Sequence, residues 1–225
     1  MEISLMKKSD LTILTSMEEA KLLHMDYPHF RYILLPTIHI FEGKISDFDS
    51  RENMMFIGNF QHPPNVDAAS YLLEEIFPKI QNKLPNIQLY VIGPNPPDSI
   101  KKHQSDSIHI LGYVKNIDEY FNKCRVMLSP LRFGAGVKGK ITQSITRGLP
   151  TITTSIGAEG IGLTDNENCM IADDANSFAE KVIKIYDDPF LWQKISANGL
   201  KIAQFYSAEN MQNTITSLFS KLILK

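Results

Sequence analysis

The chain has 225 residues, 43% of them hydrophobic, and a formal net charge of −2 at pH 7. That size suits one or two globular domains with a real core, and the acidic balance excludes a general nucleic-acid-binding role. No run of about 18 apolar residues predicts a membrane span, the opening MEISLMKKSD lacks signal-peptide order, and Cys124 and Cys169 have neither metal-ligand nor redox spacing, so the expected compartment is the cytoplasm.

In chain order, residues 11–15 (LTILT) read as a strand. Ser16 and Glu19 form the S-x-x-E pattern of a capping box, which opens a helix to about residue 24. A second strand over 32–35 closes at Pro36, so residues 1–38 make one β-α-β passage, too short to bury a core alone. Residues 39–53 turn polar and read as a linker. A larger domain over 54–206 then begins with a strand at 54–57 that runs into Gly58-Asn59. The helix expected over 67–83 puts Ala68, Tyr71, Leu72, Ile76 and Ile80 on one face, and Pro78 should kink or restart it. Strands follow at 87–92, 108–111 and 125–129, the first two ending at Gly93 and Gly112, with a helix at 116–123 before the third. Further on, strands are expected at 151–154 and 169–172 and helices at 175–186 and 189–205, the second opened by Asp188-Pro189. Ser207 caps a last helix with Met211, Ile215, Leu218 and Leu222 on one side.

Strands that alternate with helices and end in glycine imply an α/β fold with a doubly wound parallel sheet. Ligands in such sheets sit at the carboxyl ends of the strands. Gly58-Asn59, Gly93, Gly112-Tyr113 and the loop after residue 129 should therefore line a single crevice.

The densest chemistry lies in residues 129–154, SPLRFGAGVKGKITQSITRGLPTITT. This reads as strand, glycine-rich loop, helix, glycine stop and strand, with Ile141 and Ile145 on one helix face and Gln143 and Arg147 on the other. A glycine loop opening onto a helix start offers free N–H groups and the positive end of the helix dipole to an anion. From Tyr120 to Ala158 there is no carboxylate, but six cations occur: Lys123, Arg125, Arg132, Lys138, Lys140 and Arg147. The remainder of the chain thus carries a net −8, and the simplest reading of the segment is phosphate binding. The alternative is a tight strand-to-helix turn with solvated lysines.

Taken together, FIGNFQHPPNVDA, LYVIG, ILGYVKNIDEYF and VMLSPLRFGAGVKGKITQSITRGLPTITTSIGAEGI resemble the C-terminal, donor-binding domain of group 1 glycosyltransferases of the GT-B fold, over roughly residues 53–224. SDLTILTSMEEAKLL…ILLP resembles the last strand-helix-strand of that family's N-terminal acceptor domain. The resemblance implies a Rossmann-like donor half, a remnant of its partner, and a C-terminal helix, 207–225, that packs back on the remnant. It also implies hexosyl transfer from a nucleoside diphosphate sugar to a polysaccharide, glycolipid or glycoprotein hydroxyl, usually with retention.

Carried over by position, Gly93, Gly112, Tyr113 and Val114 would hold the base, with Gln143 toward the ribose. Gly134, Gly136, Val137, Lys138, Lys140 and Thr142 would hold the diphosphate, and Gly58, Asn59 and Asn65 would lie beside phosphate and sugar. Lys140 would be catalytic, because a cation aimed at the departing diphosphate stabilises the charge that develops there. The nucleotide sugar is a substrate, and neither a cofactor nor a metal is expected; His62, His103 and His109 are scattered.

Two departures stand out. Many relatives have two glutamates here, where this chain has Ala135 and Gln143, and Asn59 replaces a common arginine. An amide bonds a hydroxyl without charge assistance, and such bonds are about half as strong. The length accounts for one domain plus a remnant, so the acceptor domain would lie in the same gene product or in a separate chain, any peripheral membrane contact would come through it, and this chain alone would be inactive. A non-catalytic scaffold with weakened donor binding is the alternative; a nucleotide-sugar epimerase fits less well, lacking carboxylate and histidine clusters.

Overall fold

The computed structural model describes residues 2–39 and 47–223. The chain opens with α1 (Glu2–Met6), β1 (Thr12–Leu14), α2 (Met17–Asp26) and β2 (Tyr32–Leu34), of which α1 has no clear sequence signal. β1 and β2 pair in parallel, and Ser16 caps α2 by accepting from the N–H groups of Glu18 and Glu19. Leu14, Ala20 and Leu23 form the small core between them.

The large body follows as a 3₁₀ turn (Phe48–Ser50), β3 (Met54–Ile57), α3 (Pro63–Tyr71), a π turn (Leu72–Ile76), α4 (Phe77–Gln81), β4 (Leu89–Ile92), α5 (Asp98–Lys101) and β5 (Ile108–Gly112). Then come α6 (Asp118–Lys123), β6 (Val126–Ser129), α7 (Gly139–Ile145), β7 (Thr151–Thr153), α8 (Ser155–Ala158) and β8 (Met170–Ile171). Three helices close the chain: α9 (Ala175–Asp187), α10 (Pro189–Ala203) with a 3₁₀ turn at Gln204–Tyr206, and α11 (Ala208–Ile223). No described helix is long and apolar enough to cross a membrane.

Six parallel strands lie in the order β5-β4-β3-β6-β7-β8, the doubly wound sheet expected from the sequence. The central strands read MMFI, LYVI and VMLS because both their faces are covered. Met54, Phe56, Leu89, Val91, Val126 and Leu128 face one layer, with α3, α4, α9 and α10. Met55, Tyr90, Ile92 and Met127 face the other, with Phe121 and Leu149.

One local expectation is met and another revised. Pro78 stands in the first turn of α4, where the helix restarts after the π turn: the Phe77 N–H reaches back to the Leu72 carbonyl, and this wider turn accommodates the hydrogen bond that proline removes. Of the expected linker, residues 40–46 lie outside the described residues, while 47–53 are built into the large body, with Phe48 and Arg51 buried. The Arg51 guanidinium donates to the carbonyls of Phe121, Cys124 (3.0 Å) and Arg147 (3.4 Å), which gathers the ends of α6 and α7.

Ser207 caps α11 through the Asn210 N–H (3.1 Å). The helix runs back beside the small body. Leu11, Arg31 and Ile33 there, and Asn213, Ser217 and Leu218 of α11, line a cavity of about 790 Å³.

The strand ends of the large body are packed backbone to backbone. A Cβ on Gly93 would fall 1.7 Å from the Gly58 carbonyl oxygen, whereas one on Gly112 (φ +65°) would meet nothing within 4 Å. Gly93→Ala should therefore cost about 3 kcal/mol or more, through backbone displacement, and Gly112→Ala only about 1 kcal/mol, for its left-handed conformation. Urea denaturation of the two variants checks the order; equal losses would contradict the packing.

Candidate functional site

The sheet reverses its winding between β3 and β6, the switch point where such folds place a ligand crevice, and the loops after these two strands border it. On the β3 side, Gly58 donates its N–H to Ile92 (2.9 Å) and Gly93 donates to Gly112 (2.8 Å), so the ends of β3, β4 and β5 sit flush. Past Gly112, Tyr113 stands 76% exposed, and Val114 packs against the core beside Phe121. Asn65, in the first turn of α3, donates from Nδ2 to the Asn59 carbonyl (2.8 Å), and a side chain at Gly58 would strike it at 2.9 Å.

Lys140 reaches this wall from α7, across the β3/β6 boundary. Its Nζ donates to Asn65 Oδ1 (2.5 Å) and lies 4.7 Å from the centre of the Phe56 ring. Burial pushes its pKa down to about 7. The side chain keeps part of its surface in solvent. An ammonium held by an amide oxygen and a ring, without a carboxylate among its described hydrogen-bond partners, favours an arriving anion.

The loop after β6 completes the crevice. Gly134 (φ +129°) lies 3.6 Å from Pro64 by its would-be Cβ, and Gly136 (φ +74°) stands in open space. Among the described residues no side chain caps α7; the N–H groups of Ile141 and Thr142 turn back to the Lys138 carbonyl (2.8 and 3.3 Å), which leaves those of Gly139 and Lys140 at the helix start. Gln143 is half-buried on the same helix.

Not every candidate residue points into the crevice. Lys138 is buried and turns back, with Nζ on the Gly136 carbonyl (2.6 Å) and 3.5 Å from Glu159. Val137 turns toward the cluster of Ile141, Ile161 and Tyr206. The Thr142 hydroxyl is buried against His39 Nε2 (2.6 Å) and the Gly139 carbonyl (3.0 Å). Burial, and then Arg147, lower the pKa of His39 and favour the neutral ring.

The charge reading of the acid-free stretch is corrected by these contacts. Arg132 is bidentate to Asp67 (2.9 and 2.5 Å), and Arg147 pairs with Asp118 (2.9 and 2.6 Å). Arg125 stacks on Phe48 (4.0 Å) and Tyr186 (4.6 Å), Lys123 lies over Tyr90 (5.0 Å), and Lys138 meets Glu159. Their partners come from other parts of the chain, which local sequence does not show. Lys140 alone of the six joins the Gly58–Asn65 wall.

Three contributors escaped the sequence reading. Glu159 directly follows the acid-free stretch and was the one local signal available. His39 sits in the polar linker, and Ser16, read from the sequence only as a helix cap, places its Oγ 2.8 Å from where a Cβ on Gly160 (φ +73°) would be. Among the described residues, no group of three or more His, Cys, Asp or Glu could hold a metal.

A parallel sheet whose glycine-lined strand ends face an uncapped helix is the architecture of a Rossmann-like half of a GT-B protein. Residues 51–188 match the family described as glycosyl transferases group 1, more than half of the chain, and the chain belongs to it. It is 29% identical over 182 residues to a 44.6 kDa protein in the cps region of Klebsiella pneumoniae, covering 76% of this chain and 46% of that protein. Among solved structures it is similar to a mutant of S. aureus TarM in complex with fondaparinux, alpha-GlcNAc-glycerol and UDP (TM-score 0.75, 14% identity, 95% of this chain and 44% of that one). It also resembles the pneumococcal O-GlcNAc transferase GtfA in complex with UDP and GlcNAc (TM-score 0.73, 14% identity, 97% and 46%). The chain spans less than half the length of these three relatives.

The burial of Lys140 makes the stability of the fold depend on pH. Its folded pKa of about 7 lies below the ordinary lysine value of 10.5, so between these values the unfolded chain binds the extra proton and stability rises with pH. Lys140→Met should therefore be more stable than wild type at pH 6, with Tm raised by roughly 2–4 °C per kcal/mol recovered. The difference should shrink steadily as pH climbs from about 7 toward about 10. Paired melts across this range check it; a constant difference would contradict a desolvated ammonium.

Proposed function

We propose that this chain is the donor-binding half of a glycosyltransferase, and that its crevice receives the diphosphate of a nucleotide sugar. The observation that carries the reading is Lys140: a desolvated ammonium held by Asn65 beside Gly58, next to the uncapped start of α7. The complexes of two similar proteins with UDP support it, as does membership of the family. Cleaving the bond between sugar and phosphate leaves negative charge on the departing diphosphate, and Lys140 with the first amides of α7 would stabilise it. Gly134 and Gly136 let the loop approach the phosphates, with Lys138 holding the loop from behind. Gly112, Tyr113 and Val114 would take the base and Gln143 a ribose hydroxyl, with Gly93, Asn59 and Asn65 shaping the wall.

Transfer with retention, of a hexosyl group to a polysaccharide, glycolipid or glycoprotein acceptor in the cytoplasm, completes the proposal. The Klebsiella relative from a cps region favours a polysaccharide. The acceptor side would come from a further body, in a longer gene product or a separate chain, and any peripheral membrane contact would come with it; the chain alone would bind donor without turning it over. A second reading, a scaffold with weakened donor binding, is favoured by Gln143, whose amide lacks the charge of a glutamate.

Calorimetry with UDP and GDP tests the proposal. One of them should bind, and Lys140→Ala should weaken it about 10–100-fold, the net worth of hydrogen bonds to a charged group. Affinity should be highest between about pH 6 and 7, since the last phosphate ionisation lies near about 6. It should fall above about pH 7, as the free ammonium of Lys140 loses its proton, and this fall should vanish in Lys140→Ala. Absence of binding to any nucleoside diphosphate would overturn the reading; binding unaffected by Gln143→Glu would remove the reason for the scaffold alternative.

A further inference from the structure

We infer that His39 is a positioning residue for this site, acting through Thr142 on the first turn of α7; the inference rests on the function proposed above. The relay is short. His39 Nε2 lies 2.6 Å from Thr142 Oγ1, which lies 3.0 Å from the Gly139 carbonyl. A hydroxyl has one proton to give. With that proton on the Gly139 carbonyl, Nε2 must carry its own hydrogen and donate it to Thr142, which fixes the ring tautomer.

Gly139 is the residue that most needs such support. It is the first residue of α7 and the neighbour of Lys140, yet among the described residues no heavy atom lies within 4 Å of where its Cβ would be. Packing therefore does not hold it on that side. No described side chain caps the helix either. The hydroxyl of Thr142 grips its carbonyl, and His39 holds that hydroxyl in place.

His39 is itself fixed. Its backbone N–H donates to the Tyr206 carbonyl (3.1 Å), and Tyr206 is buried with its hydroxyl on the Ile161 carbonyl (3.2 Å). Residue 39 marks where the chain leaves the small body, and residue 206 where it returns to form α11. The two crossings touch each other, and through His39 they touch the turn that carries Lys140. The imidazole stands behind Thr142 and orients the amides of α7 without contacting the donor.

The test uses the whole chain and UDP as the probe. His39→Leu and Thr142→Val should each weaken UDP binding about fivefold, the worth of one hydrogen bond. The double variant should be no weaker than either single one, because both cut the same relay. His39→Gln, whose amide can still donate, and Thr142→Ser should stay within about twofold of wild type. Hydrogen exchange should quicken at the amides of residues 139–142 in His39→Leu and stay unchanged in β3 to β6. Folded His39→Leu protein with wild-type affinity and exchange, or losses that add, would overturn the inference. If His39→Leu fails to fold, the Thr142→Val and Thr142→Ser pair gives the same readouts. If the wild type binds no nucleoside diphosphate, the proposed function fails, while the exchange measurement still decides whether His39 positions α7.

Discussion

Everything in the crevice depends on one contact between two backbones, that of Gly93 with the carbonyl of Gly58. Space for even one methyl group is lacking there. Because of it, β3 and β4 end at the same height, and the Gly58 N–H can bond to the Ile92 carbonyl. Asn65 can then settle on the Gly58 corner, and its amide oxygen meets Lys140 arriving from the far side of the sheet's switch point. Remove the close approach and the wall that receives the ammonium moves away from it.

Lys140 is costly to the folded chain, and that cost is informative. A cation held by an amide and a ring is under-stabilised until a counter-charge arrives. The neighbouring cations have no such deficit: Arg132 and Arg147 have carboxylates, Arg125 donates to the carbonyls of Arg51 and Tyr186, and Lys123 is exposed to water. Positive charge in this segment is thus mostly architectural, and a single residue is left with its charge uncompensated at the mouth. Proteins accept local instability of this kind where ligand binding returns it.

The buried parallel sheet was legible in the sequence because parallel strands covered on both faces must be largely apolar, as Met54–Ile57, Leu89–Ile92 and Val126–Ser129 are. The mouth was legible because glycine follows each of β3, β4 and β6 at or near the crevice, and β5 ends on one. What escaped depends on long-range pairing. Nothing near Arg147 in the chain reveals Asp118 as its partner, and nothing near Thr142 reveals His39, 103 positions earlier. The direction of Lys138 escaped for a related reason, since its Glu159 lies beyond α7, β7 and α8. Pro78 marked the restart of the helix at α4, but the π turn just before it has no signal of its own in the sequence.

Arg51 has a bearing on the crevice although it lies at the other end of α7. Its guanidinium donates to the carbonyl of Arg147, just past that helix, while Ser196 donates to the next carbonyl, Gly148 (2.6 Å). The electronegative end of α7 is therefore quenched inside the protein, whereas the electropositive end, with no side-chain cap, is left bare. The two poles of this seven-residue helix are thus treated unequally: protein donors gather at its carboxyl end, while its amino end meets no described side-chain cap.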